Sequence, residues 1–194
     1  MNLFETDTFA NDLNYIFESA GTDVLINEIS CRVLISNKNI SEFEERYIHS
    51  LQELNRGELI NYQDNHYLII SESITKRGNK FKALMRHCNS SIEIATEPTQ
   101  VLIGYDYRGA PIYETVPGEL LLIPAIVDSK SFSVDTNQAI NLVNNQITVT
   151  VQDNEDTRGL AINDVFVVNE QNRKLINVDK TKNGLLIFTC ELSV

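Results

Sequence analysis

Residues Gly57–Cys88 read GELINYQDNHYLIISESITKRGNKFKALMRHC, three short apolar runs separated by turn chemistry. Runs of this length, bounded by Asp64-Asn65-His66 and by the basic, glycine-containing stretch Lys76–Lys80, predict an antiparallel β-meander. The device recurs at Asn163–Glu191, NDVFVVNEQNRKLINVDKTKNGLLIFTCE, as run, polar turn, run, basic turn with Gly, and run. Two similar β-modules in one chain predict a duplicated architecture built for structure or binding.

Working outward, Phe9, Leu13, Ile16, Phe17 and Ala20 recur at helical spacing before Gly21, so Phe9–Ala20 is expected to be an amphipathic helix closed by a left-handed glycine. Val24–Ile35 reads as a strand pair turning at Asn27-Glu28. Ser36–Arg56, SNKNISEFEERYIHSLQELNR, is a polar excursion of 21 residues. Phe43, Tyr47, Leu51 and Leu54 permit a short helix there, and a loop that orders against a neighbour is the other reading. Asn89–Gln100 has linker composition. Val101–Tyr105, Ile112–Val116 and Leu120–Val127 then read as strands, the first two joined by a turn over Asp106–Pro111 and the third apolar enough to be buried on both faces. Gln146–Val151 alternates cleanly into the second meander. The expected fold is mainly β: residues 1–90 form a small β-barrel with an N-terminal helix and a long inter-strand loop, able to fold alone. Residues 91–100 are a linker, and residues 101–194 a second β-domain, barrel or sandwich.

The chain has 194 residues, 42% hydrophobic and 22% charged, the composition of a globular protein with room for two small cores. Its net charge of −11 repels polyphosphate and argues against a nucleic-acid-binding protein. Acidic residues outnumber basic ones 10 to 4 over residues 1–56 and 12 to 7 over 98–194, while 57–97 balance at 5 to 5. Cys31, Cys88 and Cys190 are too few and too far apart for a disulfide framework and are read as reduced thiols in strands. MNLFETDTF lacks the basic start and apolar segment of a signal peptide, and no run is long enough to span a membrane, so folding in the cytosol is expected.

Catalytic wording is missing. His87 and Cys88 are adjacent, and neighbouring strand residues point to opposite faces, so they do not converge on a metal. His66 belongs to a turn and His49 to the excursion. Gly104–Gly109 (GYDYRG) is followed by neither Lys-Ser nor Lys-Thr and reads as a hairpin turn, not a phosphate loop. Asp153-Asn154-Glu155-Asp156 lacks the ligand spacing and glycine of a calcium loop and reads as a solvated turn. Lys76, Arg77, Lys80, Lys82 and Arg86, near Tyr62, Tyr67 and Phe81, make a basic cluster that could contact phosphate or an acidic protein surface. No enzyme, metal or cofactor is expected.

A helix running into AGTDVLIN, a long excursion after CRVLISN, the pair GELINYQDNHYLIISES with a basic turn, and the closing strand KALMRHCN together make residues 9–89 resemble the head-completion proteins of tailed bacteriophages. These are the head-closure or stopper rings between portal and tail. The resemblance covers somewhat under half of the chain and is one of pattern and order. It implies a small β-barrel, a homo-oligomeric ring, a portal or adaptor protein on the head side, a tail-tube or terminator protein on the tail side, and a virion location without membrane. Ser36–Arg56 would then be the lumen or interface loop. Glu42, Glu44, Glu45 and Glu53 would repel the phosphates of DNA passing through without sequence-specific contact. Residues 98–194 depart from a minimal closure protein. The other functional expectation is a two-domain binding module, a tail or adhesion component recognising protein or glycan through the Asp106–Pro111 and Asp153–Arg158 turns.

Overall fold

The structure, a computed structural model, describes residues 6–76, 80–95, 98–129 and 146–193, the side chains of residues 6–11 and 76 excepted. It is mainly β, with two closed six-stranded antiparallel barrels.

The first barrel uses α1 (Thr6–Ala20), β1 (Thr22–Ile26), β2 (Ile29–Asn37), β3 (Glu45–Ser50), β4 (Leu59–Tyr62), β5 (Asn65–Ile69), β6 (Ile74–Lys76) and β7 (Lys80–His87). Its strands run in the order β3-β2-β1-β4-β5-β7, closed by pairing of β3 with β7, and β6 adds to β7 alone. Period-two alternation sets the interior: Val24 and Ile26 are buried while Asp23 and Leu25 face outward. Ile48, Ile60, Tyr67 and Met85 meet them in the core. The hairpins turn at Asn27-Glu28 and Gln63-Asp64, both residues of each pair having positive φ, as a two-residue primed turn requires.

α1 buries Phe17 and ends against β2. The Arg32 side chain donates from Nε to the carbonyl of Phe17 (2.9 Å) and from a terminal nitrogen to that of Glu18 (2.8 Å), so a cation satisfies the open end of the helix. Gly21 has no left-handed backbone, contrary to the sequence expectation. It is required because an added Cβ would lie 2.1 Å from the Phe17 carbonyl oxygen.

The excursion at 36–56 is not a loop. Its middle is β3, which closes the barrel, pairing Ile48 with Ile35 on one side and with Ala83 on the other. Tyr47, Ile48, His49 and Ser50 alternate at period two, so the helical stripe through Phe43 and Tyr47 does not form.

The second barrel comprises β8 (Ser90–Ala95), β11 (Leu120–Ser129), β12 (Ile147–Gln152), β13 (Val165–Val168), β14 (Gln171–Asp179) and β15 (Leu185–Leu192). They close in the order β11-β12-β15-β14-β13-β8 over Val149, Phe166, Leu175 and Phe188. Between β8 and β11 lie β9 (Thr99–Tyr105) and β10 (Pro111–Val116); after β12 comes the single helical turn α2 (Glu155–Arg158). The expected linker 91–100 therefore contains a barrel strand: β8 is hydrogen-bonded to both β11 and β13 and buries Ile92. Ser91 and Glu93 on the outer face of this strand had the look of a linker. Nor is β11 buried on both sides, since Leu120 and Leu122 project outward.

Only Cys88 and Asn89 separate β7 from β8, and the barrels share a third apolar cluster of Leu68, Ile126 and Leu185, flanked by Leu59, Ile70 and Cys88. Arg86 makes a bidentate ion pair with Asp128, and Asn89 exchanges two 2.8 Å hydrogen bonds with the Val127 backbone.

Candidate functional site

The described feature least explained by the two cores is the β9–β10 hairpin. It pairs with itself and with no barrel strand. It lies in the chain between two neighbouring barrel strands: Ala95 faces Leu120 within the barrel, and Thr99 faces Val116 within the hairpin. The seven residues of β9 make an arm about 20 Å long at about 3.3 Å per residue.

Both faces of this arm carry large apolar side chains. One carries Val101, Ile103, Tyr105 and Val116 beside Glu114; the other carries Leu102, Ile112 and Tyr113. Ile103 is 59% exposed, Tyr105 67% and Leu120 71%. From residue 98 to 117 every residue but Gly104 and Asp106 is exposed. A strand that reads VLIGY has the composition of one buried on both faces, and an isolated two-stranded ribbon is marginal in water.

The tip of the arm is ordered by its own bonds. Asp106 Oδ1 accepts from the amides of Arg108 and Ala110, both at 2.8 Å, and Gly109 takes the positive φ that the turn needs. The Arg108 guanidinium lies 5.0 Å from the Tyr107 ring. The expected Asp106–Pro111 turn is thus this tip. The Asp153–Asp156 stretch enters a single helical turn with Glu155 and Asp156 exposed: Asn154 and Thr157 form a reciprocal cap on α2, and Arg158 pairs with Asp153.

The four glutamates of the former excursion do not form one patch. Glu42 and Glu53 are exposed at opposite ends of β3, separated by its six residues, about 20 Å of strand. Glu45 is paired with Lys38. Glu44 accepts from the Tyr67 hydroxyl (2.6 Å) and from Arg46 (2.8 Å); the Tyr67 bond, chiefly, holds its carboxyl below the usual range. Burial, and then the same bond, push the Tyr67 hydroxyl up to about 12.

The basic cluster is likewise divided. Arg77 and the Lys76 side chain lie outside the described residues. Lys80 is half-buried, Lys82 sits 3.7 Å over the Tyr47 ring, and Arg86 is held between Asp128 and the Phe43 ring, 3.8 Å away. Lys82 and Arg86 serve packing, so the described residues present no open basic strip.

Among the described residues no three His, Cys, Asp or Glu side chains converge as metal ligands. His66, His87 and Cys88 share a groove between the barrels, where burial pushes the Cys88 thiol up to about 12 and keeps it protonated. No described helix is long and apolar enough to cross a membrane.

The arm's strands and turn were legible in the sequence, but its detachment from the barrel was not. The available signal was continuous apolarity in VLIGY where a barrel strand with one wet face alternates.

Two family models divide the chain near the join between the barrels: the YomX N-terminal domain matches residues 2–87 and the YomX C-terminal domain residues 90–191. The chain is 30% identical over 132 residues to YomX, an SPbeta prophage-derived protein of Bacillus subtilis strain 168. That alignment covers 66% of this chain and 61% of the relative's length. No solved structure matches.

Proposed function

Because the chain belongs to the YomX family, with a prophage-derived relative in Bacillus subtilis, we propose that it is a non-enzymatic structural protein of a phage particle. The observation that carries this reading is the arm: a ribbon with large apolar side chains on both faces that the other described residues leave uncovered. Contiguous apolar surface on this scale marks a contact completed by another protein. Groups that would support chemistry are otherwise engaged, Glu44 with Tyr67, Arg86 with Asp128, and the Cys88 thiol held neutral.

The place we propose is the head–tail junction. There, copies form a ring that closes the portal channel, with a portal or adaptor on one side, a tail-tube or terminator protein on the other, and DNA passing through the lumen. The first barrel with its N-terminal helix matches the shape expected of a head-closure domain. Exposed Glu42 and Glu53 are the carboxylates suited to a lumen that repels phosphate.

The test is location. Purified particles of the phage that encodes the chain should contain it in several copies per particle by quantitative mass spectrometry, and antibody labelling should mark the neck. Absence from particles, or labelling confined to the distal tail tip, would overturn this reading and favour an adhesion role.

A further inference from the structure

We propose that the arm is the element through which copies of this chain join, the open edge of β9 in one copy pairing with the open edge of β10 in the next. The inference deepens the assembly reading above by naming the arm's partner.

Both barrels are closed, so each barrel strand has a partner on either side and leaves only short unpaired stretches, such as Thr22–Val24 on the β4 side of β1. Among the described residues the strands with one whole edge unpaired are β6, β9 and β10, and β6 has only three residues. Natural edge strands are guarded by charge, proline or bulges. β9, TQVLIGY, has neither charge nor proline along its seven residues. β10 has Pro111 at its first position and a bulge between Ile112 and Tyr113, which leaves Tyr113–Val116, at its barrel end, as a regular open edge.

Charge points to the same occupant. Copies of a chain with net charge −11 repel, and contact is easiest where charge is thinnest. Residues 99–116 hold only Asp106, Arg108 and Glu114. Arms held side by side join there, with the acidic barrels to the outside of the contact.

Geometry selects the mode. β9 of one arm beside β10 of the next gives an all-antiparallel array in which the two surfaces differ. That is a head-to-tail contact, the kind that closes a ring. It sets Val101, Ile103 and Tyr105 beside the same-face side chains of the neighbour and removes part of both apolar faces from water.

The experiment uses the full chain. Sedimentation velocity should show concentration-dependent association at micromolar protein. Val101→Lys with Ile103→Lys should weaken it at least tenfold without lowering the melting temperature, since neither side chain belongs to a core. Ile29→Lys with Ile162→Lys, equally exposed but off the arm, should leave association unchanged. Independently of any variant, amide hydrogen exchange of the natural chain should slow across Val101–Tyr105 and Tyr113–Val116 as concentration rises. A natural chain that stays monomeric with concentration-independent exchange overturns the proposal, as does association that the arm lysines do not weaken. A chain found in particles yet monomeric with an unprotected arm overturns this inference alone, placing the arm on a different particle protein. A chain absent from particles overturns the assembly reading instead.

Discussion

Gly57 and Gly184 meet backbone to backbone across the boundary between the barrels. A Cβ on Gly57 would fall 1.8 Å from the Gly184 carbonyl oxygen, and one on Gly184 would fall 1.9 Å from the Arg56 carbonyl oxygen. Both have positive φ, +91° and +85°. The Arg56 Nε donates to the Asn183 carbonyl at 3.1 Å, and Gln152 donates to Asn27 at 2.9 Å beside it. Two turns, one from each barrel, are therefore docked too closely for any side chain, and the barrels are a coupled pair more than beads on a string.

Gly57→Ala and Gly184→Ala should each destabilise the whole chain. A non-glycine residue in the left-handed region costs about 1–2 kcal/mol, and the clash with the opposite backbone adds to that. Gly109→Ala is the control: its φ is also positive, but nothing lies within 4 Å of its added Cβ. Chemical denaturation should show both interface variants losing clearly more stability than the control; equal losses would mean that the turns are not docked.

Asp128→Asn should cost about 1–3 kcal/mol, the range for hydrogen bonds to charged groups. The Arg86 side chain is only 14% exposed and that of Asp128 33%, so Arg86 would keep a poorly solvated charge. Asp153→Asn removes a pair whose arginine side chain is 59% exposed and should change stability by about 0.5 kcal/mol or less. Urea midpoints for the two variants give the comparison, and a neutral Asp128→Asn would remove the ion pair from the list of inter-barrel bonds.

Both meanders were legible because their signals are local: primed turns at Gln63-Asp64 and Asn169-Glu170 between runs with alternating inward residues. β3 was not, because Glu45 and Arg46, coming just after Glu42 and Glu44, look like solvent-exposed loop residues. What places them in a strand is non-local: Tyr67 on β5 donates to Glu44 just before the strand, and Ala83 on β7 pairs with Ile48. β8 was hidden for a related reason, as Ser91 and Glu93 describe only its outward face. The basic cluster was legible as composition, yet the partners that absorb Lys82 and Arg86 come from β3 and its preceding loop and from β11.

Alkaline solution should unfold the chain early. Burial pushes the Cys88 and Cys190 thiols up to about 12 from an ordinary 9.0, and the Tyr67 hydroxyl up to about 12 from 10.0. In each case the unfolded chain releases its proton first, so the stabilisation is complete below the unfolded value and is lost as pH rises toward 12. Urea midpoints should fall steadily from pH 9 to pH 11.5. Cys88→Ala with Cys190→Ala should flatten that fall between pH 9 and 10, where Tyr67 contributes little; an unchanged slope in that window would show that the thiols are not protected.

The glutamates separate by what they touch. Glu42→Gln with Glu53→Gln should alter stability by about 0.5 kcal/mol or less, since both carboxylates are exposed. Glu44→Gln loses a charge-assisted bond from Tyr67 and should cost about 1–2 kcal/mol at neutral pH. Because the Glu44 carboxyl is held below its usual range, its contribution is present above the unfolded value and is lost as pH falls through the folded one. The deficit of Glu44→Gln against the natural chain should therefore shrink as pH falls below the ordinary carboxyl value of 4.5. In assembled particles the ordering reverses. In the proposed ring each exposed carboxylate would be multiplied by the copy number into a collective field along the channel, so Glu42→Gln with Glu53→Gln should change DNA retention or ejection rate, whereas neutralising Glu155, Asp156 and Glu170 on the second barrel should not. Equal effects from both sets, or none from Glu42 and Glu53, would remove these residues from the lumen and leave them as ordinary solvated charge at the two ends of β3.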